Sequence, residues 1–357
     1  MPELAPAPAQ LTRPPRRRWR RLAWVVLAAL VGLPLGLRGL VRHDPLDPAY
    51  AGPRPLTAEV AARFAYPELG SPAAEVASFN HVAGARWSTR WVHLLVTTPG
   101  QAEPHRVQVI HYRPAGLSPG QRRPAVVITP ILGARDELPG LLGAALAASG
   151  IHGAVVLRAE TILDPRAPDA RIERVLRTAV VDRRRTVDWL EGLPDVDPAR
   201  IGACGASLGG IATALLCAVE PRVQAGALLL AGGDLPLVLA SSDEPRVVRW
   251  RAARSAHSEG PHSEGQGPEP LRAALAAAIP SDPLGLAPAV DARRLLFVQA
   301  RFDGAVPTSC QERLWEALGR PRRYLLPTGH RSAGVYLPWL IPLLVEFFQE
   351  RLGPTDD

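Results

Sequence analysis

Gly205-Ala206-Ser207-Leu208-Gly209 sets a serine between two glycines at the junction of two apolar runs. Before it, residues 200–204 have the apolar, small-residue character of a buried strand; after it, residues 210–216 read as a buried helix. Strand, G-x-S-x-G, helix is the context in which a serine stands at the tip of a sharp turn with its hydroxyl presented as a nucleophile. The turn crowds the positions two before and two after the serine, where Gly205 and Gly209 have no Cβ to clash. The competing reading is a Gly/Ala-rich helix start that Ser207 merely caps.

A serine hydroxyl attacks only when a base takes its proton and a third group orients that base. Of the nine histidines, His330 follows the last strand-like run, in Leu326-Pro327-Thr328-Gly329-His330-Arg331-Ser332. The alternative for His330 is a purely structural histidine. The orienting acid is expected just beyond a strand, and Asp303 stands there after the apolar run 295–300; Asp234, after an earlier strand, is its rival. A tetrahedral intermediate needs two backbone N–H donors. One is expected at Leu208, at the positive end of its helix. The other is expected in Thr129-Pro130-Ile131-Leu132-Gly133, at Leu132 or Ile131, because Pro130 has no N–H.

The elements that must position these residues alternate along the chain. Residues 87–97 and 106–112 form a hairpin pattern, and 124–129 is a continuous apolar run typical of a strand buried on both faces. Helix 138–149, strand 153–157, helix 171–193, the Ser207 strand and helix, and strand 224–231 follow, then strand 294–300, helix 309–318, strand 323–326 and helix 336–351. This order predicts an α/β fold with a mostly parallel sheet and helices on both faces. Residues 234–290 interrupt the alternation and read as a lid-like insertion. Within it, 271–279 predicts a helix lying over the site. The doublet His257-Ser258-Glu259-Gly260 and His262-Ser263-Glu264-Gly265 reads as a solvated loop and not a metal site.

Three motifs in this order, the elbow, "FDGAVP" around Asp303 and "PTGHRS" around His330, resemble the α/β-hydrolase family over residues 86–351. The resemblance implies an eight-stranded, mostly parallel sheet and cofactor-free, metal-free acyl transfer through Ser207, His330 and Asp303. It points to a carboxylic-ester hydrolase acting on a small-molecule acyl ester. A peptidase or thioesterase of the same fold, and a catalytically silent scaffold that binds a partner, are the alternatives. The chain departs from the common family pattern at "TPILG", where a His-Gly motif often stands.

Composition limits the remaining classes. Residues 1–42 carry eight arginines against one acid, Glu3, so the whole net charge of +7 lies there and residues 43–357 are balanced. Nothing in that balance predicts a groove for nucleic acid. Arginines through residue 21 form a basic n-region, and residues 22–41 are long enough to cross about 30 Å of hydrocarbon if Arg38 snorkels. They read as an uncleaved signal anchor in preference to a cleaved signal peptide. The charge bias then leaves the N-terminus in the cytoplasm and the rest outside a bacterial-type inner membrane. Residues 42–85, rich in Pro and Ala, read as a tether with one short helix near 57–64. Cys204, Cys217 and Cys310 lack metal-ligand spacing and read as inert core thiols.

Overall fold

The computed structural model describes residues 36, 38–66, 73–81, 86–98, 103–132, 137–157, 160–257 and 268–353. The chain divides into two units, Met1–Leu40 and Val41–Asp357, and all elements below belong to the second. All but the last few residues of the expected anchor at 22–41 lie outside the described residues, as do residues 258–267 of the HSEG stretch.

Among the described residues the strands are β1 (Arg42–Asp44), β2 (Ala74–His81), β3 (Trp87–Val96), β4 (His105–Pro114), β5 (Arg123–Thr129), β6 (His152–Val156), β7 (Val196–Ala206), β8 (Val223–Leu229), β9 (Leu295–Ala300) and β10 (Arg322–Leu326). They form one 10-stranded sheet in the order β1-β10-β9-β8-β7-β5-β6-β4-β3-β2. The six strands from β10 to β6 run parallel to their neighbours, and the outer pairings are antiparallel. Every residue of β5 is buried, as a strand covered on both faces requires.

The helices are α1 (Ala58–Arg63), α2 (Glu137–Ala148), α3 (Ala170–Glu191), α4 (Leu208–Val219), α5 (Leu235–Ser241), α6 (Pro245–His257), α7 (Glu269–Ala278), α8 (Pro283–Leu286), α9 (Thr308–Ala317) and α10 (Leu337–Leu352). Residue alternation along β7 sorts the layers. Ile201 and Ala203 join a core with Leu176 and Val180 of α3 and Ile211 and Leu215 of α4. Gly202, between them, faces the other way, where a Cβ would come within 2.8 Å of the Phe348 ring of α10. Helices therefore cover both faces.

Two expectations need correction. The sheet has ten strands where eight were expected, and the extra outer strands β1 and β2 both come from the presumed tether. Three features tie that segment to the domain. Arg323 of β10 pairs with Asp44 of β1 at 2.6 Å. Phe64 is fully buried, with its carbonyl accepting from Arg184 Nη1 at 2.7 Å. Tyr66 Oη donates to the buried Asp188 at 3.0 Å. The short helix is present as α1, capped by Thr57.

One buried polar pair on the sheet is sensitive to acid. The His111 and His152 rings stack 5.2 Å apart and bond through Nε2 and Nδ1 at 3.0 Å. His152 Nε2 lies 3.1 Å from the Asp195 carbonyl, which only accepts, so that nitrogen carries the proton. Nδ1 is then the acceptor and His111 Nε2 the donor, and both rings are neutral. Burial, with Arg113 nearby, holds His152 down at about 4, and burial, His152 and Arg90 hold His111 well below its ordinary value. The unfolded chain takes up these protons near pH 6.5 and the native state does not. Stability is therefore full above about pH 6.5 and falls as the pH drops toward 4, by about 1.4 kcal/mol per pH unit for each neutral histidine. Urea unfolding between about pH 7 and pH 5 should show this slope in the wild type and a shallower one in H111L/H152Q. Equal slopes would remove the pair as the cause.

Candidate active site

Ser207 has φ 55° and ψ −127°, a conformation rarely adopted by a residue with a side chain, at the junction of β7 and α4. Its N–H donates to the Leu229 carbonyl of β8 at 2.8 Å, and its own carbonyl accepts from Ile211 at 3.0 Å. One bond ties the turn to the sheet and the other starts the helix. The flanking glycines are required by contact. A Cβ on Gly205 would strike the Gly209 carbonyl, and one on Gly209 would strike the Thr129 carbonyl and lie 2.7 Å from that of Pro130. These are backbone atoms of the turn itself and of the strand β5 alongside, where Thr129 is in register with Gly205.

At the far side of the parallel strands, the ends of β9 and β10 converge. Backbone bonds Arg301 N–H to Leu326 O and Phe302 N–H to Thr328 O, both 2.9 Å, clamp the two following loops together. That clamp brings His330 to Asp303, Nδ1 to Oδ2, at 2.7 Å. A carboxylate only accepts, so Nδ1 carries a proton, and in the neutral ring Nε2 is then the nitrogen with the lone pair. The Asp303 side chain is fully buried and the His330 side chain is 18% exposed. Burying a carboxylate is costly unless its lone pairs are filled. Here Oδ1 accepts from the N–H groups of Ala305 and Val306, both 2.9 Å, and Oδ2 from Gln311 Nε2 at 2.8 Å.

Asp234, the rival acid, is engaged elsewhere. It caps α5 and pairs with Arg272 at 2.7 Å and Arg313 at 2.6 Å. Of the two acids, only Asp303 is bonded to His330.

Ser207, Leu208, His330, Ile131 and Leu132 all line one cavity of about 580 Å³. Leu208 is the first residue of α4, so its N–H has no acceptor within the helix. Leu132 follows β5, and its carbonyl accepts from Arg246 Nη1 of α6 at 2.7 Å. Much of the remaining wall is apolar, with Leu235, Val238 and Leu239 from α5 and Leu337 and Leu340 from α10, while Glu244, Arg246, Arg249 and Arg331 add charge. The helix expected over the site is α7, and none of its residues lines the cavity. Amphipathic α7 packs its buried Leu275 against α5, which with α6 forms the cover. Burial pushes the Cys204 thiol up to about 12, so it offers no thiolate.

Three supporting residues escaped the motif reading. Gln311 of α9 holds Asp303, and its Oε1 accepts from Ala300 at 3.3 Å. Arg183, fully buried in α3, donates from Nε to Thr129 Oγ1 at 2.8 Å beneath the 130–132 loop, and from Nη2 to the Val156 carbonyl at 3.3 Å. Arg246 holds that loop from above. No residue type or spacing marks them, because their partners lie far away in the chain.

No family model and no curated protein matches the chain. Solved structures do. Acetyl xylan esterase 1 from Thermoanaerobacterium sp. JW/SL YS485 aligns at TM-score 0.55 and 15% identity over 84% of this chain and 96% of its own. Acetyl xylan esterase from Paenibacillus sp. R4 aligns at TM-score 0.56 and 18% identity, over 82% and 92%. Pyrococcus horikoshii acylaminoacyl peptidase aligns at TM-score 0.52 and 16% identity, over 76% of this chain and 43% of its own. The chain has an α/β-hydrolase fold. In this α/β-hydrolase fold the site residues all come from loops at the carboxyl ends of β5, β7, β9 and β10, where open α/β sheets place their ligands.

The close approach at the elbow gives a stability test. Gly209→Ala should cost about 2–3 kcal/mol, because backbone carbonyls of β5 cannot move aside for the new methyl group. Gly285, with open space around it, is the control site. Thermal unfolding of the two alanine variants compares them; equal melting temperatures would refute the close-contact account.

Proposed function

We propose that the protein is a serine hydrolase of carboxylic esters that works through Ser207, His330 and Asp303. The observation that carries this reading is the 2.7 Å bond from His330 Nδ1–H to the buried, fully satisfied carboxylate of Asp303, in a cavity that Ser207 and His330 both line. Ser207 Oγ attacks the acyl carbon while His330 Nε2 takes its proton. Asp303 keeps the imidazole in the required tautomer and stabilises the imidazolium. The negative charge passes to the former carbonyl oxygen, which the N–H groups of Leu208 and Leu132 receive in a site poor in water. The tetrahedral intermediate collapses, the C–O bond to the alcohol breaks, and His330 gives the alcohol its proton. Water, deprotonated by His330, then attacks the Ser207 ester, and the carboxylic acid leaves as Ser207 recovers its proton.

The aliphatic stretch of the cavity wall from α5 and α10 supports an acyl part that is hydrocarbon, since it offers no polar partner. Hydrolysis of p-nitrophenyl butyrate is the direct assay. Ser207→Ala should abolish it. Asp303→Asn should lower kcat by about 10⁴-fold through the wrong tautomer. Gln311→Leu should lower kcat about tenfold with little change in KM, because it removes one hydrogen bond to the charged carboxylate and touches no substrate. Full activity in Ser207→Ala would end the proposal.

The arginine-rich residues through 21 and the apolar run 22–41 support a further part of the reading, in which the hydrolase is held at a membrane with its catalytic unit outside the cytoplasm. The full-length chain should stay with membranes through an alkaline carbonate wash, and a chain beginning at residue 42 should not. Recovery of the full-length chain in the wash would contradict the anchor.

A further inference from the structure

A second cavity, of about 650 Å³, adjoins the catalytic one and shares five wall residues with it: Leu132, Ile162, Leu163, Arg246 and Arg249. Leu132 is the candidate oxyanion donor, so a reacting carbonyl bound there lies at the junction of the two compartments. Their chemistry differs. Away from the shared arginines and the Glu244–Arg331 pair at its mouth, the catalytic compartment is walled mainly by aliphatic side chains. The second compartment adds Gln108, Glu160, Thr161 and Trp250 to the two shared arginines.

The charges of the second compartment do not cancel internally. Glu160 is already neutralised by Arg171 and by a two-pronged contact from Arg174, each at 3.1 Å. At the mouth of the catalytic cavity, Glu244 and Arg331 answer one another at 3.4 Å. Arg246 spends one nitrogen on the Leu132 carbonyl, a neutral group. Arg249 has no ion pair among the described residues. Among the described residues, neither guanidinium on the shared wall pairs with an acid. Trp250 is a third group without a match: it is 3% exposed, and its buried indole N–H has no hydrogen-bond partner among the described residues. Apart from the exposed Gln108 amide, the unmet groups among the described residues are donors, two of them cationic, a set complementary to an oxyanion.

We propose that the second compartment holds the alcohol side of the ester, and that this alcohol carries an oxyacid group, a carboxylate or a phosphate, recognised by Arg249 together with Arg246. The inference rests on the serine-hydrolase reading and adds the substrate class. Arg246 couples the two events, since the guanidinium that meets the anion also holds the carbonyl of the oxyanion loop.

The test uses butyrate esters of four phenols whose para substituent is carboxymethyl, phosphonomethyl, neutral hydroxymethyl or trimethylammoniomethyl. The methylene spacer keeps the leaving groups similar in acidity while the charge changes. On the wild type, kcat/KM for at least one anionic ester should exceed that for the cationic ester by about tenfold or more, the scale of one charge-assisted hydrogen bond. The larger of the two anionic ratios identifies the oxyacid. In Arg249→Gln that ratio should fall about tenfold, and in Arg249→Lys it should largely survive. Arg249 is exposed, so neither change disturbs the core. Turnover of the neutral ester with no preference for either anion, or an equal ratio in Arg249→Gln, overturns the inference and leaves the hydrolase reading standing. If none of the four esters is hydrolysed, both fall.

Discussion

A serine at φ 55° and ψ −127° costs on the order of 1–3 kcal/mol and persists only where its surroundings hold it. Here the surroundings are the centre of the sheet. β7 is paired on one edge with β5 and on the other with β8, so the chain cannot relax toward either neighbour before it enters α4. The reverse of direction between strand and helix happens within one residue, and the two segments approach so closely that Gly205 and Gly209 touch backbone where side chains would stand. The same crowding brings the end of β5 beside the turn. The loop carrying Ile131 and Leu132 is therefore near Ser207 because of the elbow, and Arg183 and Arg246 hold that loop from opposite sides.

The second half of the site is built from independent material but obeys a parallel logic. β9 and β10 end together, the backbone bonds beyond them fix the spacing of their loops, and Asp303 and His330 meet as a result. A buried carboxylate is tolerable there because three N–H donors besides the histidine fill its lone pairs. The apolar walls supplied by α5 and α10 serve two ends at once. In the proposed reaction they would limit the water that screens developing charge, and they suit a hydrocarbon acyl group.

Legibility from the sequence followed how local each determinant is. Ser207 was readable because the strand, the two glycines and the helix that create its turn lie within a few residues of it. His330 and Asp303 were readable as loop residues after strands, and Asp303 was preferred to Asp234, but nothing local separated the two acids. Both follow strands, and what separates them is that Arg272 and Arg313, from distant helices, occupy Asp234. β1 and β2 were hidden for a different reason. β1 is three polar residues held through an Asp44–Arg323 ion pair, and the apolar Val76 and Phe79 of β2 face outward at the sheet edge, so neither strand carries a hydrophobic alternation. The insertion was visible as an interruption, yet which of its helices covers the site depends on packing that no spacing encodes.

The central claim is that Ser207 is activated as a nucleophile by His330 on Asp303. Treating the folded protein with a fluorophosphonate and mapping the product by tandem mass spectrometry tests it most directly. The account predicts a single phosphonyl adduct on Ser207 that disappears in His330→Ala. No adduct, an adduct on another serine, or labelling of Ser207 at the same rate without His330 would contradict it.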